Sequence, residues 1–99
     1  MSLVNLSIQI IPKTDPTQTY AVIDKAIEAI AATGVKYRVC PFETVMEGTL
    51  EQVYDAAEKA QQACFQAGAT EVLVFTKLQR RKNGDVTMEE KTGKYEREK

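Results

Sequence analysis

The chain has 99 residues, 43% of them apolar and 27% charged, with 13 basic against 14 acidic side chains for a net charge of −1. That length suits one domain, 1–99, with a single core. The balanced charge gives no general field for nucleic acid or an anionic membrane surface. No apolar run approaches a membrane span, and "MSLVNLSIQI" has neither a basic start nor a cleavage site, so the sequence reads as soluble and cytoplasmic. Histidine is absent, which removes the commonest general base and every Ser/His or Cys/His nucleophile pair. Cys40 and Cys64 form no CxxC and read as buried free thiols, with neither a metal site nor a disulfide expected.

In chain order, Val4, Leu6, Ile8 and Ile10 alternate with Asn5, Ser7 and Gln9, the pattern of a strand with one oily face, stopped by Pro12. Asp15, Pro16 and Gln18 then read as the cap, first position and capping-box partner of a helix. Its apolar stripe is Tyr20, Ile23, Ile27 and Ile30, flanked by Ala26 and Ala31, with Gly34 just past its end. "VKYRVCP" and "ETVMEG" predict two short strands paired as a hairpin around Pro41. "TLEQ" is a second capping box, Thr49 to Gln52, opening a helix with Leu50, Val53, Ala57, Ala60 and Cys64 on one face and Gly68 at its end. "EVLVFTKLQ" is the last strong strand. The tail 80–99 is polar, with an Asn83-Gly84 turn, and a third box from Thr87 to Glu90 opens a short C-terminal helix weakened by Gly93.

The order β-α-β-β-α-β, with right-handed crossovers, gives an α+β ferredoxin-like fold: a four-stranded antiparallel sheet with two helices on one face. The last strand is apolar on both sides, Val72, Val74 and Leu78 on one and Leu73 and Phe75 on the other. Two helices cover only one side, so Leu73 and Phe75, beside Ser7 and Gln9, form a patch that self-association would bury.

Four stretches in order, "SIQIIPK", "KYRVCPFETVMEG", "QACFQAGATEVLVFTKLQ" and "EEKTGKY", resemble the small thiamine-binding protein family, the YkoF-related ferredoxin-like group. The resemblance covers nearly the whole chain, and PFETxxEG is its most specific piece. It implies a ferredoxin-like fold, homodimers or homotetramers, binding of thiamine or its hydroxymethylpyrimidine precursor, and neither catalysis nor a resident cofactor.

Such a ligand presents an aminopyrimidine edge and, in thiamine, a cationic thiazolium. A site for it needs a carboxylate or amide at that edge and a flat apolar wall. Glu43 and Glu47 supply charge, Thr44, Ser7 and Gln9 neutral hydrogen bonding, and Tyr20, Phe42 and Met46 walls. On a strand Glu43 and Glu47 share one face and Thr44 and Met46 the other, so one pocket takes them all only with a bulge or a neighbouring subunit. Each has a plainer reading as well. Glu47 could serve the positive end of the second helix, Glu43 could be solvated or pair with Arg38, and Thr44 could be strand filler. Ser7 and Gln9 could lie in a subunit contact, and Tyr20 in the core. The run Arg80–Arg81–Lys82 reads as a solvated basic loop that could attract an anion. Three functions follow: a small-molecule binding protein, an oligomeric assembly or regulatory module, and an enzyme using the two acids. The third is weakest, because i and i+4 on a strand stand roughly 13 Å apart, too far for a coupled pair.

Overall fold

The alternation of the first strand decides how the layers stack. In the computed structural model, which describes residues 2–96, the elements are β1 (Val4–Lys13), α1 (Thr19–Ala32), β2 (Lys36–Val39), β3 (Thr44–Gly48), α2 (Leu50–Gln66), β4 (Glu71–Gln79) and α3 (Met88–Glu96). The strands form one antiparallel sheet in the order β2-β3-β1-β4, the ferredoxin-like arrangement. Val4, Leu6 and Ile8 of β1 lie beside Gly48, Met46 and Thr44 of β3, and together with Met46 they form the sheet side of the core. Against them pack Val22, Ala26 and Ile30 of α1 and Val53, Ala56, Ala57, Ala60 and Cys64 of α2. The small residues of α2 let its axis approach the sheet closely. The last three residues of the predicted polar tail lie outside the described residues.

Two details of the first helix depart from expectation. Asp15 does cap, accepting from the Thr17 amide at 2.9 Å, but what it opens is a 3-10 turn over Pro16–Gln18, and α1 begins only at Thr19. Gln18 turns its side chain to Thr17 and makes no capping box. The buried stripe of α1 accordingly runs through Val22, Ala26 and Ile30, and Tyr20, at the first turn, is 84% exposed instead of joining the core. The second helix starts as its sequence dictates. The Gln52 amide donates to Thr49 Oγ1 at 3.2 Å, and the Thr49 amide donates to Gln52 Oε1 at 2.9 Å.

The face of the sheet away from α1 and α2 is half covered. The chain after β4 turns back at Gly84, whose φ of +105° suits glycine, and runs beside the start of β1. There the Val86 amide donates to the Leu3 carbonyl at 3.0 Å and the Leu3 amide to Asp85 Oδ1 at 2.8 Å. Val86 and Met88 are buried, and α3 then lies over one end of this face. The other end stays open: Ile11 is 47% exposed, Leu73 54% and Phe75 53%. No described helix is long and apolar enough to cross a membrane.

Candidate functional site

The floor of the site is set by strand register. On the face under α3, one cross-strand row runs Lys36, Glu47, Asn5, Gln79, and the next runs Arg38, Val45, Ser7, Lys77. Apart from Val45 the rows are polar, because these positions are the outward half of the alternation that sends Leu6 and Met46 into the core.

The placement of α3 rests on groups that the sheet supplies. Glu47, only 8% exposed, accepts the Met88 amide on Oε1 at 2.6 Å, and its Oε2 lies 3.6 Å from Lys36 Nζ. The carboxylate thus satisfies a free amide at the positive end of α3, not of α2 as the adjacent sequence suggested. Asn5, also buried, donates to the Val86 carbonyl at 3.1 Å and accepts from Lys91 Nζ at 2.9 Å. Arg38 pairs with Glu96 and donates to Thr92 Oγ1 at 3.0 Å, so its partners are on α3, and a pair with Glu43, one of the readings left open by the sequence, is not formed.

The helix also caps itself, as the third box predicted. The Glu90 amide donates to Thr87 Oγ1 and the Thr87 amide to Glu90 Oε1, both at 3.1 Å. Arg81 grips Glu90 with two nitrogens, at 3.0 and 2.6 Å, and it also donates to the Asp85 carbonyl. The Arg81 hydrogen bonds, followed by the Thr87 amide, hold the Glu90 carboxyl down at about 2. Of the basic run 80–82, Arg81 is therefore committed to building α3.

Between this helix and the sheet lies a cleft of 380 Å³. Ser7 and Glu43 offer hydrogen-bonding groups to it, Asn5 borders it with its amide already bonded to Val86 and Lys91, and Val45, Leu78 and Met88 give it apolar wall. Cys40 also borders it, partly buried instead of fully buried as the sequence suggested, and free, where its amide donates to the Glu43 carbonyl at 2.8 Å and closes the hairpin.

A narrower groove of 230 Å³ runs between α1 and the hairpin on the other side of the sheet edge. Gln9, Tyr20, Glu43 and Thr44 line it, with the exposed ring of Phe42. The six residues singled out from sequence thus separate into three places. Ser7 and Glu43 border the cleft, and Gln9, Tyr20, Thr44 and again Glu43 border the groove. Glu47 stands apart beneath the start of α3. Glu43, shared by both, marks the corner where cleft and groove meet.

Sequence reasoning missed Asn5, Lys77, Gln79, Lys91 and Thr92 in the cleft lining. The first three were accessible to it, since they continue the alternation through Ser7 and Phe75. Lys91 and Thr92 were not, because nothing local says that α3 returns to the open face.

The class defined so far is a ferredoxin-like domain with a third helix laid across its open face and a cleft beneath that helix. A family model described as thiamine-binding protein matches residues 6–96, and the chain belongs to that family. It is 43% identical over 95 residues to a UPF0045 protein of Clostridium perfringens, covering 96% of this chain and 99% of the relative. Among solved structures it is similar to a DUF77 domain from Bacillus cereus, with 40% identity and a TM-score of 0.89 over 95% of this chain and 90% of that one. It is also similar to a Thermotoga maritima protein named for thiamine biosynthesis or salvage, with 32% identity and a TM-score of 0.84 over 94% of this chain and 98% of that one.

Proposed function

We propose that this chain is a non-enzymatic binding protein that takes thiamine or its hydroxymethylpyrimidine precursor in the cleft under α3, next to a contact between copies of the chain. The observation that carries the reading is the make-up of the cleft. Its 380 Å³ falls within the roughly 300–1,000 Å³ of small-molecule sites. It combines an apolar wall from Val45, Leu78 and Met88 with Ser7 and Glu43, which suit the donor and acceptor edge of an aminopyrimidine. Membership of the thiamine-binding family and the name of the Thermotoga relative support the same ligand class. A binding role also accords with Glu47, whose carboxylate is occupied by the Met88 amide and Lys36 and is poorly placed to act as a base beside Glu43.

The subunit contact is proposed from the open end of the same face. Phe75 lies one row beyond Lys77 on β4, and Gln9 one row beyond Ser7 on β1, so the apolar patch adjoins the cleft. That patch also favours a second reading, an assembly or regulatory module that oligomerises and takes no small ligand.

Titration calorimetry of the purified chain against thiamine, its phosphates and hydroxymethylpyrimidine tests the proposal. The expected result is saturable binding, weakened by roughly 1.5–3 kcal/mol in Glu43→Gln through loss of a charge-assisted hydrogen bond. A chain that assembles but gives no binding with any of these compounds would establish the second reading instead.

A further inference from the structure

Resting on the reading of the cleft as a thiamine-type site, we infer that the form it selects is a phosphate ester, either phosphorylated hydroxymethylpyrimidine or a thiamine phosphate. The charge of the lining argues for this. Arg38, Lys77 and Lys91 border the cleft against one carboxylate, Glu43. Free thiamine brings a cation to that wall, and free hydroxymethylpyrimidine brings no compensating charge.

The three cations are not equally engaged. Arg38 is met by Glu96. Lys91 donates to the neutral amide oxygen of Asn5. Lys77 has no ion-pair partner among the described residues. Two ammonium groups, one on the edge strand β4 and one on α3, are therefore left without an acid. Lysines on a flat surface are ordinarily just solvated. These two instead border a concave space with Val45, Leu78 and Met88 in its walls, where charges of one sign focus their field on an incoming anion. A phosphate monoester brings about −1.5 to −2 at neutral pH, together with oxygens able to accept from both lysines.

The charges are also sorted along the cleft. Lys91 reaches Asn5, and Lys77 pairs across the ladder with Ser7, the next position on the same face of β1. Glu43 lies on the other side, one residue past Thr44 toward the hairpin turn. A pyrimidine amine at Glu43 and a phosphate toward the lysines would match both ends of such a space.

Calorimetry on the full chain, pairing each free alcohol with its phosphate ester, separates this inference from the reading beneath it. The ester is expected to bind at least about tenfold more tightly, and its affinity should fall as salt is raised because the gain is electrostatic. Lys77→Gln, on an exposed edge strand, should leave the melting temperature near the parent's and cut the ester-to-alcohol preference several-fold. Free thiamine or hydroxymethylpyrimidine binding as tightly as its ester would overturn the phosphate inference and leave the binding reading standing. So would an ester preference untouched by Lys77→Gln. Binding of neither form would overturn both.

Discussion

Glu47 shows how one side chain changes meaning once its neighbours are known. Beside Gly48 and the Thr49 cap it reads as a ligand group or a helper of α2, yet its partner is the amide of Met88, far along the chain. That partner was illegible because a strand residue's outward face says nothing about which later segment will cover it. Glu47→Gln keeps the shape and removes the charge facing the α3 terminus, so a loss of about 1–2 kcal/mol is expected. For a chain of this size that lowers the melting temperature by roughly 4–8 °C per kcal/mol. An unchanged melting curve would mean that the carboxylate does not hold α3. The thiols allow a second residue-scale check. Cys64 is fully buried, and desolvation pushes its thiol up, whereas Cys40 is only partly buried, at the cleft. A thiol reagent should modify Cys40 in the folded protein and Cys64 only on unfolding. Protection of Cys40 by a bound pyrimidine would place the ligand beside it.

At the scale of elements, strands and α2 were legible because their signals are local and mutually consistent. Alternation gave β1, although the strand runs through Pro12, expected to stop it, to Lys13; a box and an apolar stripe gave α2, and the third box gave the start of α3. The start of α1 was misread because Asp-Pro fits a 3-10 turn as well as a helix cap, and here it opens the turn over Pro16–Gln18. The position of α3 depends on Arg81, Asn5, Arg38 and Glu47 acting together, a set no sequence window contains.

The cap of α3 gives it a pH dependence. Glu90 is held at about 2, below its ordinary 4.5, chiefly by Arg81 and then by the Thr87 amide. A depressed carboxyl stabilises the fold above its unfolded value, and that contribution is lost as pH falls from 4.5 through about 2. The helix should therefore loosen from its N-terminus over that window, visible as exchange of the Thr87 and Glu90 amides in NMR spectra. In Glu90→Gln the same amides should already be less protected at neutral pH and should lack this acid transition. An acid profile identical to the parent's would remove Glu90 from the cap.

For the whole molecule, the question is what the remaining half of the open face does. Ile11, Leu73 and Phe75 are each about half exposed and adjacent in register, Ile11 across from Leu73 and Phe75 across from Gln9. α3 stops short of them, since its anchors Asn5 and Glu47 sit at the far end of β1 and β3. β4 and β2 are also the free edges of the sheet, with ladder groups available to another strand. A contact built on this patch needs roughly 800 Å² per copy to be stable, more than three side chains supply. It would have to extend along the face toward Lys77 and the cleft, or along an edge strand. We therefore expect a homo-oligomer, with pairs of dimers as the form that covers both face and edges. Multi-angle light scattering should give a mass of at least twice the 11.0 kDa chain. Phe75→Glu should lower that mass by placing an unpaired charge in the contact, with the circular dichroism spectrum unchanged because Phe75 lies outside the core. If the chain runs as a single 11.0 kDa species at micromolar concentration, or if Phe75→Glu keeps the parent mass, the open face is not the contact and the cleft must bind its ligand without a neighbour.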